Sequence, residues 1–69
     1  MWKQGTIGKY SYCAKVYDNP SAMGINGGRV SKLEIYNRWG KLIVHYDREW
    51  VKKPLFIGVV NQVLATVTA

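Results

Sequence analysis

A single cysteine, Cys13, in a chain of 69 residues removes two devices by which very small domains usually compensate for a thin core. A disulfide needs a second cysteine, and a structural zinc site needs about four ligands, of which Cys13 and His45 supply two at most. A chain this short buries a modest fraction of its surface and is marginal alone. One small domain over residues 1–69, completed by association into a homo-oligomer, is the architecture to expect, with no metal site and no cofactor. A lone thiol of this kind behaves as a small half-buried hydrophobe more readily than as a nucleophile, and it suits a reducing compartment.

No apolar core of signal-peptide length follows Met1, so a cytoplasmic location is predicted. The longest uncharged stretch, residues 54–69, falls short of the roughly 20 residues that span a bilayer and contains Asn61, Gln62, Thr66 and Thr68. It predicts a buried helix, with no membrane partner. Ten bases against four acids give a formal charge of +6, which favours an anionic partner.

Residues 9–17 alternate, with Tyr10, Tyr12, Ala14 and Val16 on one side and Lys9, Ser11, Cys13 and Lys15 on the other, the pattern of a half-buried strand. Residues 2–7 form its partner, and Gly8 lies between them where a tight turn takes a positive φ at little steric cost. Residues 18–28 are dense in Gly, Asn, Pro and Ser and predict a loop of functional length. β character resumes over 29–36, with Ser31, Leu33 and Ile35 on one face and Val30, Lys32, Glu34 and Tyr36 on the other. Asn37-Arg38-Trp39-Gly40 reads as a type I turn closed by a left-handed glycine. A strand over 41–46 then sets Leu42, Val44 and Tyr46 against Lys41, Ile43 and His45. Residues 47–53 read as a charged link. Pro54 suits the first turn of a helix, in which Phe56, Val59, Val60, Val63, Leu64 and Val67 recur at helical spacing. The fold class expected is α+β: a four-stranded, mainly antiparallel sheet of two hairpins with one C-terminal helix across a face.

Catalytic chemistry finds little support. His45 is the one imidazole, set in mid-strand without a matched nucleophile, and the four acids are scattered, so no catalytic residue is assigned. Binding is the default. In the segment 24–29, Gly-Ile-Asn-Gly-Gly-Arg, the glycines let backbone amides approach a ligand, and Arg29, Ser31 and Lys32 add charge and a hydroxyl suited to phosphate. The plainer alternative is that Gly27 and Gly28 only turn the chain. The segment is no P-loop, because the Gly-Lys-Ser/Thr ending is absent. A second constellation interleaves aromatics and bases, including Tyr17, Tyr36, Arg38, Trp39, Tyr46, Arg48, Trp50, Lys52 and Lys53. Nucleotides are held by such stacking and charge, while the alternative is that the aromatics are cross-strand core pairs and the lysines a solvated face. Trp39, in a tight turn, is the aromatic least suited to burial in its own subunit.

Trp2, Gly5 and Ile7, the run Gly24-Ile25-Asn26-Gly27-Gly28-Arg29-Val30-Ser31-Lys32-Leu33, and Tyr46-Asp47-Arg48-Glu49-Trp50 together resemble a group of short uncharacterised proteins of Firmicutes and their phages. The resemblance covers most of the chain and implies a small phage-type protein acting in the host cytoplasm. By analogy, such proteins inhibit host defence, either by capping a protein or by sequestering a nucleotide signal. The function expected is therefore non-enzymatic capture of an anionic, nucleotide-like ligand by Gly27, Gly28, Arg29, Ser31, Lys32, Tyr46, Arg48 and Trp50. Binding of single-stranded or duplex nucleic acid, and protein–protein inhibition of a defence factor, are the alternatives.

Overall fold

The computed structural model describes residues 1–69. Five antiparallel strands follow one another in chain order across a single sheet: β1 (Trp2–Ile7), β2 (Tyr10–Val16), β3 (Val30–Tyr36), β4 (Leu42–Asp47) and β5 (Trp50–Lys52). One helix, α1 (Ile57–Val67), closes the chain. The α+β class, the antiparallel sheet and the C-terminal helix match the sequence expectation, but the sheet has five strands instead of four. The additional strand is β5, where Trp50 pairs with Tyr46 and Lys52 with His45. Three residues amid charged neighbours are too few for an alternation pattern to show.

The turns behave as their residues dictate. Gly8 takes φ 58° between β1 and β2, and Gly40 takes φ 78° at the end of the β3–β4 turn, where its N–H bonds to Asn37 O at 3.0 Å. The Asn37 side-chain oxygen accepts from the Trp39 and Lys41 amides and fixes that turn.

All twelve buried apolar side chains fall in one cluster on one face of the sheet. Tyr12, Ala14 and Val16 of β2, Leu33 and Ile35 of β3, and Val44 and Tyr46 of β4 form its floor, and Val60, Val63 and Val67 of α1 form its roof. The spacing of those valines puts them on one stripe of the helix. The helix lies over β1 and β2. On the β4 side, the Tyr46 hydroxyl donates to Met23 O at 2.9 Å, and Ile25 of the 18–28 loop enters the same core.

Two β-bulges revise the faces read from simple alternation. Lys15 pairs with Lys32 but Val16 pairs with Val30, so Ser31 is the extra residue. Val30 consequently turns into the core, and Ser31 joins Lys15 and Lys32 away from it. In β4 the pairing jumps from Val44 to Leu42, and Ile43 packs against the core. The helix also begins later than Pro54 suggests: Phe56 is its N-cap, extended at φ −126°, and its side chain is exposed instead of packed.

α1 has no side-chain bond at its N-cap, no acid in its first turn and no base in its last. An isolated helix of this length is marginal in water, so α1 depends on the valine stripe and on the sheet beneath. Truncating Leu33, fully buried at the floor, is expected to cost about 2–5 kcal/mol, comparable to the roughly 3–5 kcal/mol that a core of this size supplies. Urea unfolding of Leu33→Ala should therefore show a chain largely unfolded in buffer, while Leu55→Ala, at an exposed position, should stay within about 0.5 kcal/mol of the parent.

Candidate functional site

On the sheet face away from α1, at the end where β2, β3 and β4 meet the 18–28 loop, lies an open cleft of about 680 Å³. Lys15, Tyr17, Ser31, Lys32 and Arg48 line it with Asp18, and Asn19, Ser21 and Met23 complete its wall. Pairing of β2 with β3 sets Lys15 directly across from Lys32. Pairing of β3 with β4 sets Lys32 across from Asp47. Beyond Asp47 the chain turns through Arg48, whose φ of 60° is the left-handed region, and the Arg48 N–H donates to Ser31 O at 2.8 Å. That bond ties the β4–β5 turn to the bulge and carries the guanidinium into the cleft lining.

Three cations thus converge on one side of a cleft whose lining has one acid. Asp47 offsets part of the charge, with Lys32 Nζ at 4.0 Å and Arg48 Nε at 3.5 Å from its Oδ1. These separations are long, and Asp47 Oδ1, shielded from solvent, has no hydrogen-bond partner. Ser31 Oγ is also shielded and unpartnered. A hydroxyl left unmet beneath the cleft floor costs free energy in the fold as it stands.

Lys15 Nζ stands 5.4 Å from the Tyr17 ring centre and 5.9 Å from that of Trp2. It also holds the Tyr17 phenol below its ordinary value of 10 by favouring the phenolate. The Ser31 hydroxyl, although it makes no hydrogen bond of good geometry, is near enough to act in the same sense, and the charge of Lys32 adds to it. Tyr36, elsewhere on the sheet, is pushed the other way: its hydroxyl donates to Glu34 Oε2 at 3.0 Å, and loss of that proton would set two anions side by side.

Of the residues singled out from the sequence, the structure brings Ser31, Lys32 and Arg48 to this cleft and places the other five elsewhere. The Gly27 and Gly28 amides bond to Gly24 O and Ile25 O inside their own loop, so neither is free for an anion. A Cβ at Gly24 would collide with the Gly28 carbonyl, showing how closely the loop doubles back. Arg29 Nη2 donates to Thr68 O at 2.9 Å, and Lys3 Nζ to Val67 O at 2.8 Å. Both cations meet the carbonyl end of α1, where positive charge complements the helix dipole. Tyr46 belongs to the core, and Trp50 packs edge-on against it, with ring centres 5.0 Å apart and planes at 79°.

Lys15 and Asp18 lie outside the eight site residues to which the sequence points, and Tyr17 stands there only as one aromatic among many. Lys15 was legible in principle, because alternation already places it opposite Ala14 and Val16. Its meeting with Arg48 depends on the bulge and the left-handed turn. No three or more His, Cys, Asp or Glu side chains gather into a group able to hold a metal ion, and no helix is long and apolar enough to cross a membrane.

A family model described as "Domain of unknown function (DUF7678)" matches residues 1–68. The chain belongs to this family. No curated protein and no solved structure matches it. The DUF7678 match spans the sheet, the cleft and all of α1.

The two perturbed phenols give a direct check on the cleft. In tyrosine-labelled protein followed by NMR, Tyr17 should deprotonate below pH 10 and Tyr36 above it. A depressed phenol adds stability as the pH rises through its folded value toward 10 and beyond. A raised one contributes below pH 10 and loses that contribution as the pH climbs through its folded value. Lys15→Met should move the Tyr17 titration upward and leave Tyr36 in place.

Proposed function

We propose that this chain is a small, non-enzymatic, oligomeric protein that captures an anionic, nucleotide-like ligand in the Lys15–Lys32–Arg48 cleft, with sequestration of a host defence signal as its role in a phage-type setting. The observation that carries this is the convergence of three cations, Lys15, Lys32 and Arg48, on one cleft whose lining holds a single acid, Asp18. Lys15 and Lys32 act as point charges for phosphate oxygens, and the Arg48 fork supplies directional donors. The partly exposed Tyr17 ring offers a face on which a base can stack. Assembly belongs to the same proposal, since the cleft is open to solvent and a second subunit across it would enclose the ligand.

The proposal differs from the sequence expectation in which residues do the work. Arg29 is engaged at the helix terminus, so its loss should act on stability and not on affinity. Isothermal titration with a panel of linear and cyclic nucleotides at low salt should give saturable heat. Lys32→Ala or Arg48→Ala should weaken it by about tenfold to a hundredfold, the worth of a charge-assisted contact, whereas Arg29→Ala should lower the unfolding midpoint and leave affinity unchanged. Arg48→Gly makes the sharpest separation. It relieves a left-handed turn that costs a side chain about 1–2 kcal/mol, so the protein should become more stable while binding less. No heat with any nucleotide overturns the proposal. Affinity for oligonucleotides that falls steeply with salt, without a defined stoichiometry, assigns the cations to a nucleic-acid backbone instead.

A further inference from the structure

The end of the sheet remote from the cleft has a different composition. There the β1–β2 turn, the β3–β4 turn and the segment leading from β5 into α1 come together, because the pairings Ile7↔Tyr10, Ser11↔Tyr36 and Tyr36↔Leu42 align at that end and the chain runs toward it after the His45↔Lys52 pair. The segments 7–10, 36–43 and 51–57 carry Lys9, Arg38, Lys41, Lys52 and Lys53 and no acid. Asp18, Asp47 and Glu49 all lie at the opposite end, and Glu34, in mid-strand, is engaged by Tyr36. The same end holds the most exposed large apolar side chains of its two loop tips: Leu55 at 95%, Phe56 at 80% and Trp39 at 80%.

We infer that this end is a docking surface for an anionic lipid bilayer, on which the chain lies peripherally without crossing. Three observations select that occupant. The apolar groups stand on loop tips, so they can enter a soft interface without needing a complementary groove. They include an aliphatic side chain, Leu55, beside Phe56, and Leu55 gains from acyl chains and nothing from a nucleic-acid backbone. They share this end of the sheet with five bases and no acid, the pairing of aromatic and aliphatic anchors with Lys and Arg that holds proteins at anionic headgroups. A symmetric second copy on this surface would instead face five cations with five cations. Trp39 is presented on a rigid tip, since Asn37 fixes the turn backbone and the Arg38 guanidinium lies 5.4 Å from the indole centre. An indole held at headgroup depth beside a guanidinium is an interfacial anchor.

Flotation of the full chain with vesicles of phosphatidylcholine plus phosphatidylserine, compared with phosphatidylcholine alone, tests this. Binding is expected to the mixed vesicles and not to the neutral ones. Leu55→Ser with Phe56→Ser should reduce partitioning at least about tenfold, given the worth of burying two such side chains, and Lys52→Glu with Lys53→Glu should do the same and remove the dependence on phosphatidylserine. All four positions are exposed, so circular dichroism should report an unchanged fold. Lys32→Ala and Arg48→Ala should still bind vesicles, which keeps this outcome separate from that of the nucleotide titration. No flotation at low salt overturns the inference. So does flotation that survives loss of Leu55 and Phe56, which would mark mere net-charge attraction. Self-association abolished by the Leu55 and Phe56 changes, in protein that ignores vesicles, would assign the surface to a second copy and overturn it as well.

Discussion

Everything else in this molecule depends on the apolar seam between three valines of α1 and one face of the sheet. Val60, Val63 and Val67 meet a floor centred on Ala14, Leu33 and Ile35, and no other region of the chain contains a connected set of buried apolar side chains. Because the helix covers one face, the other is free of the demand for hydrophobicity. Lysines, a glutamate and a histidine occupy it, and a charged cleft can exist there without disturbing the core. The cost of burying charge is avoided by geometry: the cations of the cleft remain in contact with water while their backbones lie in β2, in β3 and in the turn after β4.

The charges of this chain divide into two kinds, and the division explains why net charge alone was a poor guide to the site. Lys3 and Arg29 are far apart in sequence, yet both end on carbonyls at the C-terminus of α1, Lys3 on Val67 and Arg29 on the capping Thr68. The helix lacks a base of its own in that turn, so Lys3 of β1 and Arg29, just before β3, supply two. Removing either weakens the anchoring of the whole roof. Lys32 and Arg48 make only long contacts to Asp47, and Lys15 lies over the Tyr17 and Trp2 rings without a carboxylate partner, so none of the three caps the helix. A basic residue next to glycines in the sequence therefore became a helix cap, and one in the middle of an alternating strand became part of the cleft.

How far the residues foretold these positions depends on the range of the interaction involved. The hairpin turns at Gly8 and Gly40, the buried side of β2 and the C-terminal helix follow from local backbone preference and from periodicity, and each was legible. β5 was not, because a three-residue strand is defined by its partner and not by its own pattern. The Ser31 bulge was hidden for the opposite reason. Alternation over residues 29–36 is regular enough to assign a face to every side chain, and a single inserted residue reverses the assignment of Val30 and Ser31. The extra residue is selected by the partner strand, where Val16 must reach the core while Tyr17 N still bonds Arg29 O.

That bulge also links fold and site in a way that limits how the site can change. The Ser31 carbonyl accepts the Arg48 amide, so the left-handed turn after β4 and the irregularity in β3 stabilise one another across the sheet. A non-glycine residue in left-handed backbone adds strain, and glycine would adopt it more easily. The presence of arginine at position 48, where backbone preference alone would select glycine, indicates that its side chain contributes something the turn does not require. Its nearest partner, Asp47, is already shared with Lys32 and sits 3.5 Å from Nε, too far for a strong hydrogen bond. The remaining guanidinium donors meet no protein acceptor, and the side chain is two-thirds exposed where it lines the cleft. Strain kept in place for a donor without a protein acceptor is how a fold this small would hold a group for something outside itself.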